Sequence, residues 1–287
     1  MDPNSEAVSK VTVPHILERK LRGERITCLT AYDYPTARLV DESGIDMILV
    51  GDSLAQTVLG YDSTVPVTVE EMMHHLKAVR RAVRRAMLIA DLPFGAYHAE
   101  ASRAVDASIR YLKEGGAEAV KLEGGRRRAE VIRKLVEAEI PVMGHVGLTP
   151  QSVHSQGGYR VQGKTVETAG EVLADAQAVE DAGAFAVVLE GVPRELAARI
   201  TLRLRIPTIG IGAGPDCDGQ VLVFHDLVGL SFQPPAKFVR AYANVADVMR
   251  QAIARYRQDV LGGDYPADGE SYHWPSAVRQ EFERVRT

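Results

Sequence analysis

The chain alternates short apolar runs with longer amphipathic stretches. Eight apolar runs end in polar residues or glycine, and they are ITCLTAYD (26–33), MILVGDS (47–53), MLIADLP (87–93), AVKLEGG (119–125), PVMGHVG (141–147), AVVLEGV (186–192), PTIGIGAG (207–214) and VLVFHDLVG (221–229). Short runs rich in Val, Ile and Leu are typical of strands covered on both faces. Capping residues and apolar spacing predict helices at 35–43, 68–85, 99–114, 127–139, 165–182, 193–203 and 237–260.

The order of these elements predicts the architecture. Eight strand–helix units, with no linker rich in Pro, Ser or Gly between them, fit a closed (βα)8 TIM barrel better than an open doubly wound sheet. We therefore predict an α/β fold with one barrel domain over residues 1–260, including a short N-terminal segment. The helix after strand seven is expected to be short or missing. Residues 261–287 are expected to form an irregular C-terminal tail.

Composition narrows the class of protein. The 287 residues are 46% apolar and 25% charged, as in ordinary globular proteins, and the net charge of -4 gives no reason to expect nucleic-acid or anionic-membrane binding. No stretch approaches the roughly 18 apolar residues of a membrane-spanning helix. The two cysteines, Cys28 and Cys217, suit a reducing compartment. We expect a cytoplasmic protein.

The polar ends of the strands are the candidate site. In a TIM barrel the C-terminal ends of the strands meet at one mouth, where active sites of this fold lie. Six residues with ionisable side chains hold that position, and they are Asp52, Asp91, Lys121, Glu123, His145 and Glu190. We expect them to be neighbours in space although they are scattered along the chain.

Asp52 and Asp91 are the candidate metal ligands. Two carboxylates from adjacent strands, completed by water and substrate oxygens, are the arrangement that Mg²⁺ prefers. Glu123 would ligate the metal directly or through water. No cluster of His and Cys indicates zinc. The alternative for either aspartate is a helix cap or a partner of a buried Arg.

The other mouth residues suit binding and proton transfer. Lys121 lies two residues before Glu123 and shares its face of the strand, so it would bind a substrate carboxylate or pair with Glu123 itself. His145 would be a proton shuttle, a substrate donor or, as for most lone histidines, a core residue satisfied by the backbone. Glu190 ends a five-residue apolar run, where desolvation would favour a general base; the alternative is a helix cap ahead of Pro193.

Two further motifs are weaker. The glycines of GIGAG (210–214) suit either phosphate binding or close backbone packing. Arg126, Arg127 and Arg128 follow strand four, and a solvated helix start is the expected reading. The alternative is that they attract an anionic part of a ligand near the mouth.

Several long stretches closely resemble the ketopantoate hydroxymethyltransferase family. They include LTAYDYPTA, VGDSLAQTVLGYDSTVPVT, VKLEGG, GHVGLTPQSV and IGIGAGPDCDGQVLVFHD, and the resemblance covers about residues 10–260. It implies a barrel of the phosphoenolpyruvate/pyruvate type, often assembled as a homodecamer, that works with Mg²⁺ and 5,10-methylenetetrahydrofolate in pantothenate biosynthesis. The implied substrate is 3-methyl-2-oxobutanoate, and the implied product is ketopantoate.

The resemblance also assigns roles to residues. It implies that Asp52 and Asp91 bind the metal and the substrate, with Glu123 as the third acid of the metal site. It implies that Ser53 and Lys121 hold the oxo acid, and that Glu190 accepts its proton. His145 is a further candidate for substrate binding.

Two other functions remain open at this point. A metal-dependent 2-oxo acid lyase or mutase would use the same barrel, but such lyases have a reactive Cys in a mobile loop, whereas Cys28 falls in a predicted strand. A non-catalytic barrel serving as a scaffold or sensor would not need six ionisable residues at its mouth.

Overall fold

Eight parallel strands close into a barrel in the computed structural model, which describes residues 9–285. Each strand pairs with its neighbours in chain order, and β8 closes the ring against β1. The strands are β1 (Ile26–Thr30), β2 (Met47–Val50), β3 (Met87–Asp91), β4 (Ala119–Lys121), β5 (Val142–Gly147), β6 (Ala186–Glu190), β7 (Thr208–Ile211) and β8 (Gly219–Leu222). The predicted (βα)8 barrel is confirmed.

Helices surround most of the barrel. They are α1 (Val13–Arg22), α2 (Tyr34–Glu42), α3 (Leu54–Thr57), α4 (Val69–Arg80), α5 (Ala101–Lys113), α6 (Ala129–Glu137), α7 (Val153–Gln156), α8 (Val166–Asp181), α9 (Arg194–Arg203), α10 (Phe224–Leu227), α11 (Val245–Gly262) and α12 (Ser276–Val285). Short 3₁₀ turns cover Arg126–Arg128, Pro150–Ser152 and Asp268–Glu270. No helix lies between β7 and β8 in the described chain, as predicted.

Two apolar layers hold the barrel together. One fills its interior, with side chains such as Met47, Ile89 and Met143, and the other lies between the strands and the helices, with side chains such as Leu76 and Ile132. The outer layer is uneven around the barrel. Every residue of β2 and β3 is buried, whereas Gln220 in β8 is exposed. Helices therefore cover the β2–β3 side more completely than the β8 side.

Helix α1 lies in the short N-terminal segment, for which no helix is predicted, and it closes the bottom of the barrel. Its Ile16 is fully buried among interior residues. Its basic side chains reach the loops below the strands: Arg19 pairs with Asp46 at 3.0 Å, and Lys20 pairs with Asp218 at 2.7 Å. Residues 1–8, which belong to the same predicted segment, lie outside the described residues.

The helix predicted over 68–85 ends early, at Arg80. The physical reason is a buried carboxylate from a neighbouring unit. Asp41 accepts hydrogen bonds from the backbone N–H groups of Arg84, Arg85 and Ala86, at 2.7–3.1 Å. These bonds satisfy the backbone outside a helix, and helical periodicity alone does not reveal them.

The C-terminal region differs most from prediction. The eighth strand ends at Leu222 rather than continuing through the predicted run, because the chain turns into α10 where Phe224 N donates to Thr30 Oγ1 at 3.0 Å. The helix predicted over 237–260 begins only at Val245. Tyr242 N and Val245 N instead donate to carbonyls of Leu227 and Val228, at 2.8 and 2.9 Å.

The tail after residue 260 is not wholly irregular. The predicted boundary falls in the last turn of α11, and Ser276–Val285 form α12. An apolar spacing of four and three residues at Val278, Phe282 and Val285 is typical of a helix and explains this difference. From Asp247 to Val285 every described residue is exposed.

Candidate active site

The ionisable residues predicted at the strand ends do meet at one mouth of the barrel. Asp91 and Lys121 are the last residues of β3 and β4 and lie opposite each other in register. Glu190 ends β6, His145 lies within β5, and Asp52 follows β2 by two residues. The contacts described below link these side chains to one another and to Glu123, so the predicted convergence is confirmed.

Asp91 and Lys121 form a buried ion pair. Lys121 Nζ donates to Asp91 Oδ2 at 2.6 Å, and both side chains are almost fully buried. Desolvation raises the pKa of Asp91 to about 7 in spite of the positive charge of Lys121. Burial by itself would lower the pKa of Lys121, but the charges of Asp91, Glu123 and Asp52 raise it above its ordinary value. Lys121 therefore stays a cation, and its suggested pairing with Glu123 is wrong.

Asp52 and Glu123 are joined through Gln151. Its side-chain Nε2 donates to Asp52 Oδ2 at 2.8 Å, and its backbone N donates to Glu123 Oε2 at 3.0 Å. Asp52 also approaches Asp91, since Asp52 N lies 3.4 Å from Asp91 Oδ2. Neither aspartate side chain caps a helix or pairs with an arginine, so those alternatives are not supported. Desolvation, reinforced by the charge of Asp52, raises the pKa of Glu123 well above its usual value.

His145 lies between two carboxylates. Its Nε2 is 3.3 Å from Glu190 Oε2, and its Nδ1 is 3.7 Å from Glu123 Oε1. Both ring nitrogens are buried without a well-aligned hydrogen bond, so the expectation of a core histidine satisfied by the backbone is wrong. Burial, and then the charge of Lys121, lower the pKa of His145, which keeps the ring neutral at pH 7.

Glu190 sits at the edge of this buried group. Its side chain keeps 18% of its surface exposed, against 3% for Glu123. Helix α9 begins after Pro193 without any side-chain cap, so Glu190 does not serve as a helix cap. A carboxylate that is partly exposed, next to a neutral imidazole, is placed to meet a substrate entering from solvent.

Ser53 lies beside Asp52 and is held by a buried tyrosine. Tyr32 OH and Ser53 Oγ are 2.7 Å apart. Burial raises the pKa of Tyr32 to about 12, so its hydroxyl keeps its proton. Ser53 also begins the short helix α3, where its carbonyl accepts from Thr57 N at 3.1 Å.

The donor set suits a hard divalent cation that takes part of its shell from outside the protein. Asp91 Oδ1 and Glu123 Oε1 are buried and have no hydrogen-bond partner, which is costly for a carboxylate oxygen. Within residues 9–285, no three His, Cys, Asp or Glu side chains are grouped so as to hold a metal by themselves. Two carboxylates completed by water and substrate oxygens are what Mg²⁺ accepts.

Other candidate features do not join the mouth. Cys28 and Cys217 are free and buried, and burial, followed by the charge of Asp46, raises the pKa of Cys28 to about 12, so neither suits a thiolate nucleophile. The glycines of 210–214 serve close packing: a Cβ added at Gly212 would lie 2.6 Å from Phe238 Cδ1.

Sequence reasoning missed Gln151, Tyr97 and Tyr32. Gln151 lies only four residues after β5. A search of the whole loop after each strand, and not only of its first polar residue, would have found it. Tyr97 stands six residues after Asp91. Both belong to loops that follow strands, but neutral side chains in loops give no charge signal.

Fold and site together define a (βα)8-barrel enzyme with a buried acidic mouth. Residues 10–268 match the family model of ketopantoate hydroxymethyltransferase, and the chain belongs to this family. A 3-methyl-2-oxobutanoate hydroxymethyltransferase of Koribacter versatilis (strain Ellin345) is 60% identical over 97% of this chain and 94% of that protein. One of Carboxydothermus hydrogenoformans (strain ATCC BAA-161 / DSM 6008 / Z-2901) is 54% identical over 92% of this chain and 96% of that protein.

Solved structures confirm the type of barrel. A phosphonopyruvate hydrolase in complex with oxalate and Mg²⁺ aligns with a TM-score of 0.59 and 18% identity, over 96% of this chain and 97% of that one. A 2,3-dimethylmalate lyase, a member of the PEP mutase/isocitrate lyase superfamily, aligns with a TM-score of 0.57 and 16% identity, over 96% and 99%. At these identities the likeness shows the fold alone. No helix within residues 9–285 is long and apolar enough to cross a membrane.

Proposed function

We propose that this chain transfers a hydroxymethyl group from 5,10-methylenetetrahydrofolate to 3-methyl-2-oxobutanoate, giving ketopantoate for pantothenate biosynthesis. The observation that carries the proposal is the pair of buried, unpartnered oxygens, Asp91 Oδ1 and Glu123 Oε1, beside a buried lysine at the barrel mouth. A 2-oxo acid brings a carboxylate for the lysine and, with its keto oxygen, two ligands for a metal ion. Membership of the family makes this acid the expected substrate.

Mg²⁺ is the proposed cofactor, held by Asp52 and Asp91 with Glu123 as the third acid. When bound, it supplies Lewis-acid stabilisation of the negative charge that develops on the oxo acid. Lys121 and Ser53 would hold the substrate carboxylate, with the Ser53 hydroxyl oriented by Tyr32. His145, neutral and without an aligned partner, would donate one hydrogen bond to the bound oxo acid.

Glu190 is the proposed general base. Its partly exposed carboxylate would take the proton from C3 of the oxo acid, leaving an electron pair delocalised onto the keto oxygen. The C3 carbon then forms a bond to the one-carbon unit of the folate. The one-carbon unit is bonded to two folate nitrogens, and both of these bonds break: one as the new carbon–carbon bond forms, the other as water supplies the hydroxyl group. Tetrahydrofolate leaves with two added protons, one replacing the proton lost from C3 and one from that water.

The deciding experiment is an assay of the purified protein with 3-methyl-2-oxobutanoate, 5,10-methylenetetrahydrofolate and MgCl₂, following ketopantoate by mass spectrometry. We expect product in the complete mixture, none after chelation, and recovery when Mg²⁺ is restored. A well-folded protein that forms no ketopantoate would overturn the proposal. Dependence of product formation on folate separates this activity from the lyase alternative, which needs no folate; the two buried thiols do not favour that alternative.

We also propose that the protein is a homo-oligomer, a decamer by family resemblance. Support comes from two apolar surfaces that the described chain leaves uncovered. Helix α11 exposes an apolar stripe at helical spacing, consisting of Met249, Ile253, Tyr256 and Val260. On the barrel flank, a mainly apolar groove of about 960 Å³ is lined by residues of β1, β7 and β8 and by Phe238 and Tyr242. A second copy of the chain is the proposed cover for both.

A cytoplasmic location is part of the same proposal. Free cysteines persist in reducing compartments, and the two thiols of this chain are both unpaired. The substrates named above are small molecules, and nothing in the acidic net charge favours nucleic acid.

A further inference from the structure

Gln151 and Tyr97 make a connected set of hydrogen bonds behind the candidate metal ligands. Both side chains are almost fully buried, at 2% and 1% exposure. Tyr97 OH donates to Gln151 Oε1 at 2.6 Å, and Glu123 N donates to Tyr97 OH at 3.1 Å. Gln151 then contacts Asp52 through its side chain and Glu123 through its backbone. Two residues outside the predicted site therefore contact two of the three acids of the proposed metal site.

The direction of each hydrogen bond in this set is fixed by chemistry. A backbone N–H only donates, so Tyr97 OH accepts from Glu123 and has its own proton left to donate to Gln151 Oε1. This assigns the oxygen of the Gln151 amide to the tyrosine side. The NH₂ group must then face the other way, where it donates to Asp52 Oδ2 at 2.8 Å and to the Leu92 carbonyl at 3.0 Å. The tyrosine and the Leu92 carbonyl together thus decide which end of the amide Asp52 meets.

The same bonds select which carboxylate oxygens stay free. Glu123 Oε2 is taken by the backbone N of Gln151, and Glu123 Oε1 is left buried without a partner. Acidic groups this close repel one another, and Lys121 is bonded to Asp91 rather than to Asp52 or Glu123. The Gln151 amide therefore holds the Asp52 side chain. Because the amide is neutral, it donates this hydrogen bond without changing the net charge of the buried acidic cluster.

We infer that Gln151, oriented by Tyr97, is a positioning residue that holds Asp52 and Glu123 in the arrangement required for binding a divalent cation. The inference rests on the metal site of the proposed function. Outer groups that orient metal ligands typically contribute about 10–100-fold to metal affinity. Gln151 fixes the Asp52 carboxylate directly, whereas Tyr97 acts on it only through the amide.

The test is the Mg²⁺ dissociation constant measured by isothermal titration calorimetry with MgCl₂, without folate and without turnover. Gln151→Met keeps the size of the side chain and the backbone donor to Glu123 but removes the amide. We expect about 10–100-fold weaker Mg²⁺ binding. Tyr97→Phe removes the donor to Gln151 Oε1, but the Leu92 carbonyl still accepts from the NH₂ group, so this change should weaken binding less. In the double variant the Tyr97→Phe effect should be smaller than in the unmodified background, because the part that acts through Gln151 disappears, whereas Glu123 N loses its acceptor in both backgrounds.

Melting temperatures and a matched control separate positioning from stability. Tyr61→Phe likewise removes a tyrosine hydroxyl that donates a hydrogen bond at 2.6 Å, but the acceptor is Glu71, which lies outside this set. It should leave Mg²⁺ affinity unchanged. If Gln151→Met or Tyr97→Phe folds and binds Mg²⁺ as tightly as the unmodified protein, the inference is wrong. If the unmodified protein takes up no Mg²⁺, the proposed metal site itself is wrong, which is a different result.

Discussion

The barrel mouth and the barrel flank, by which we mean the groove beside β1, β7 and β8 together with helix α11, are incomplete in opposite ways. At the mouth, buried carboxylate oxygens and both nitrogens of His145 lack aligned hydrogen-bond partners. On the flank, apolar side chains lack cover, and the chain is exposed without interruption from Asp247 to Val285. Missing polar partners call for a small polar ligand, whereas missing apolar cover calls for another protein surface.

The difference also lies in how each region is held. Every ionisable side chain of the mouth comes from a strand or the loop that follows it, within a closed ring of eight strands. The flank depends on α11, whose single buried residue is Ala246. The chain thus arranges the mouth by itself, whereas the surface proposed for assembly would be completed by a second copy. Each of the following changes tests one side of this contrast.

The largest effect is expected at the mouth, for Glu190→Gln. With Mg²⁺ and 3-methyl-2-oxobutanoate in D₂O, and no folate, the unmodified protein should exchange the C3 proton for deuterium, as followed by proton NMR. Removing a general base typically costs about 10² to 10⁴ in rate, so exchange should fall at least about 100-fold while the oxo acid still binds.

The control for this change is Glu195→Gln, which alters an exposed carboxylate on α9. It should exchange at the unmodified rate. Exchange in Glu190→Gln within a few-fold of that rate would mean that another group takes the proton, and His145 would be the next candidate.

On the flank, Ile253→Asp should weaken self-association. An aspartate in the middle of the α11 stripe would have to lose its hydration in an apolar interface, at a cost of about 2 kcal/mol or more, which is about thirtyfold in the association constant. Sedimentation velocity over a concentration series measures it. Gln251→Asp, on the opposite side of the same helix, should associate normally. Equal association of both variants would show that the stripe is not an interface.

Mg²⁺ binding at the mouth should depend on pH, because the pKa of Asp91 is raised to about 7. Below that pH the carboxyl holds a proton that the cation must displace, so apparent affinity falls as pH falls, by up to about tenfold per unit. Between about pH 7.5 and 6 we expect roughly a tenfold loss from Asp91, and protonation of Glu123, whose pKa is also raised, adds to the loss. Calorimetry at several pH values measures this. A constant affinity across that range would contradict it.

The smallest effect is expected where the mouth meets solvent, at Arg127 and Arg128. We predict that they attract the glutamate tail of the folate, since the Arg128 guanidinium lies 5.6 Å from the ring centre of Tyr97. Replacing both with Ser should raise KM for polyglutamylated over monoglutamylated folate by about threefold, and less at high salt. Arg126→Ser is the control, because Arg126 already pairs with Asp175 at 2.8 Å. An unchanged ratio would exclude the attraction.

The sequence predicted the mouth well because its signals are local. A buried strand and the acid that ends it are adjacent in the chain, and barrel geometry then brings Asp52, Asp91 and Glu190 together. Gln151 was not predicted because its role depends on contacts with Glu123 and Asp52, which lie 28 and 99 positions earlier in the chain. The start of α11 and the end of α4 were not predicted correctly for a similar reason. Carbonyls distant in the chain accept hydrogen bonds from the backbone before α11, and the Asp41 carboxylate accepts them from the backbone after α4.

The plug that α1 forms at the bottom of the barrel has a kinetic consequence. Because Ile16 fills that end, ligands enter the described part of the barrel through its mouth. Under the proposed function, the oxo acid held by Lys121 would have to bind before the bulkier folate, and ketopantoate would leave after tetrahydrofolate. The proposed order of binding and release thus depends on a helix at the opposite end of the barrel from the mouth.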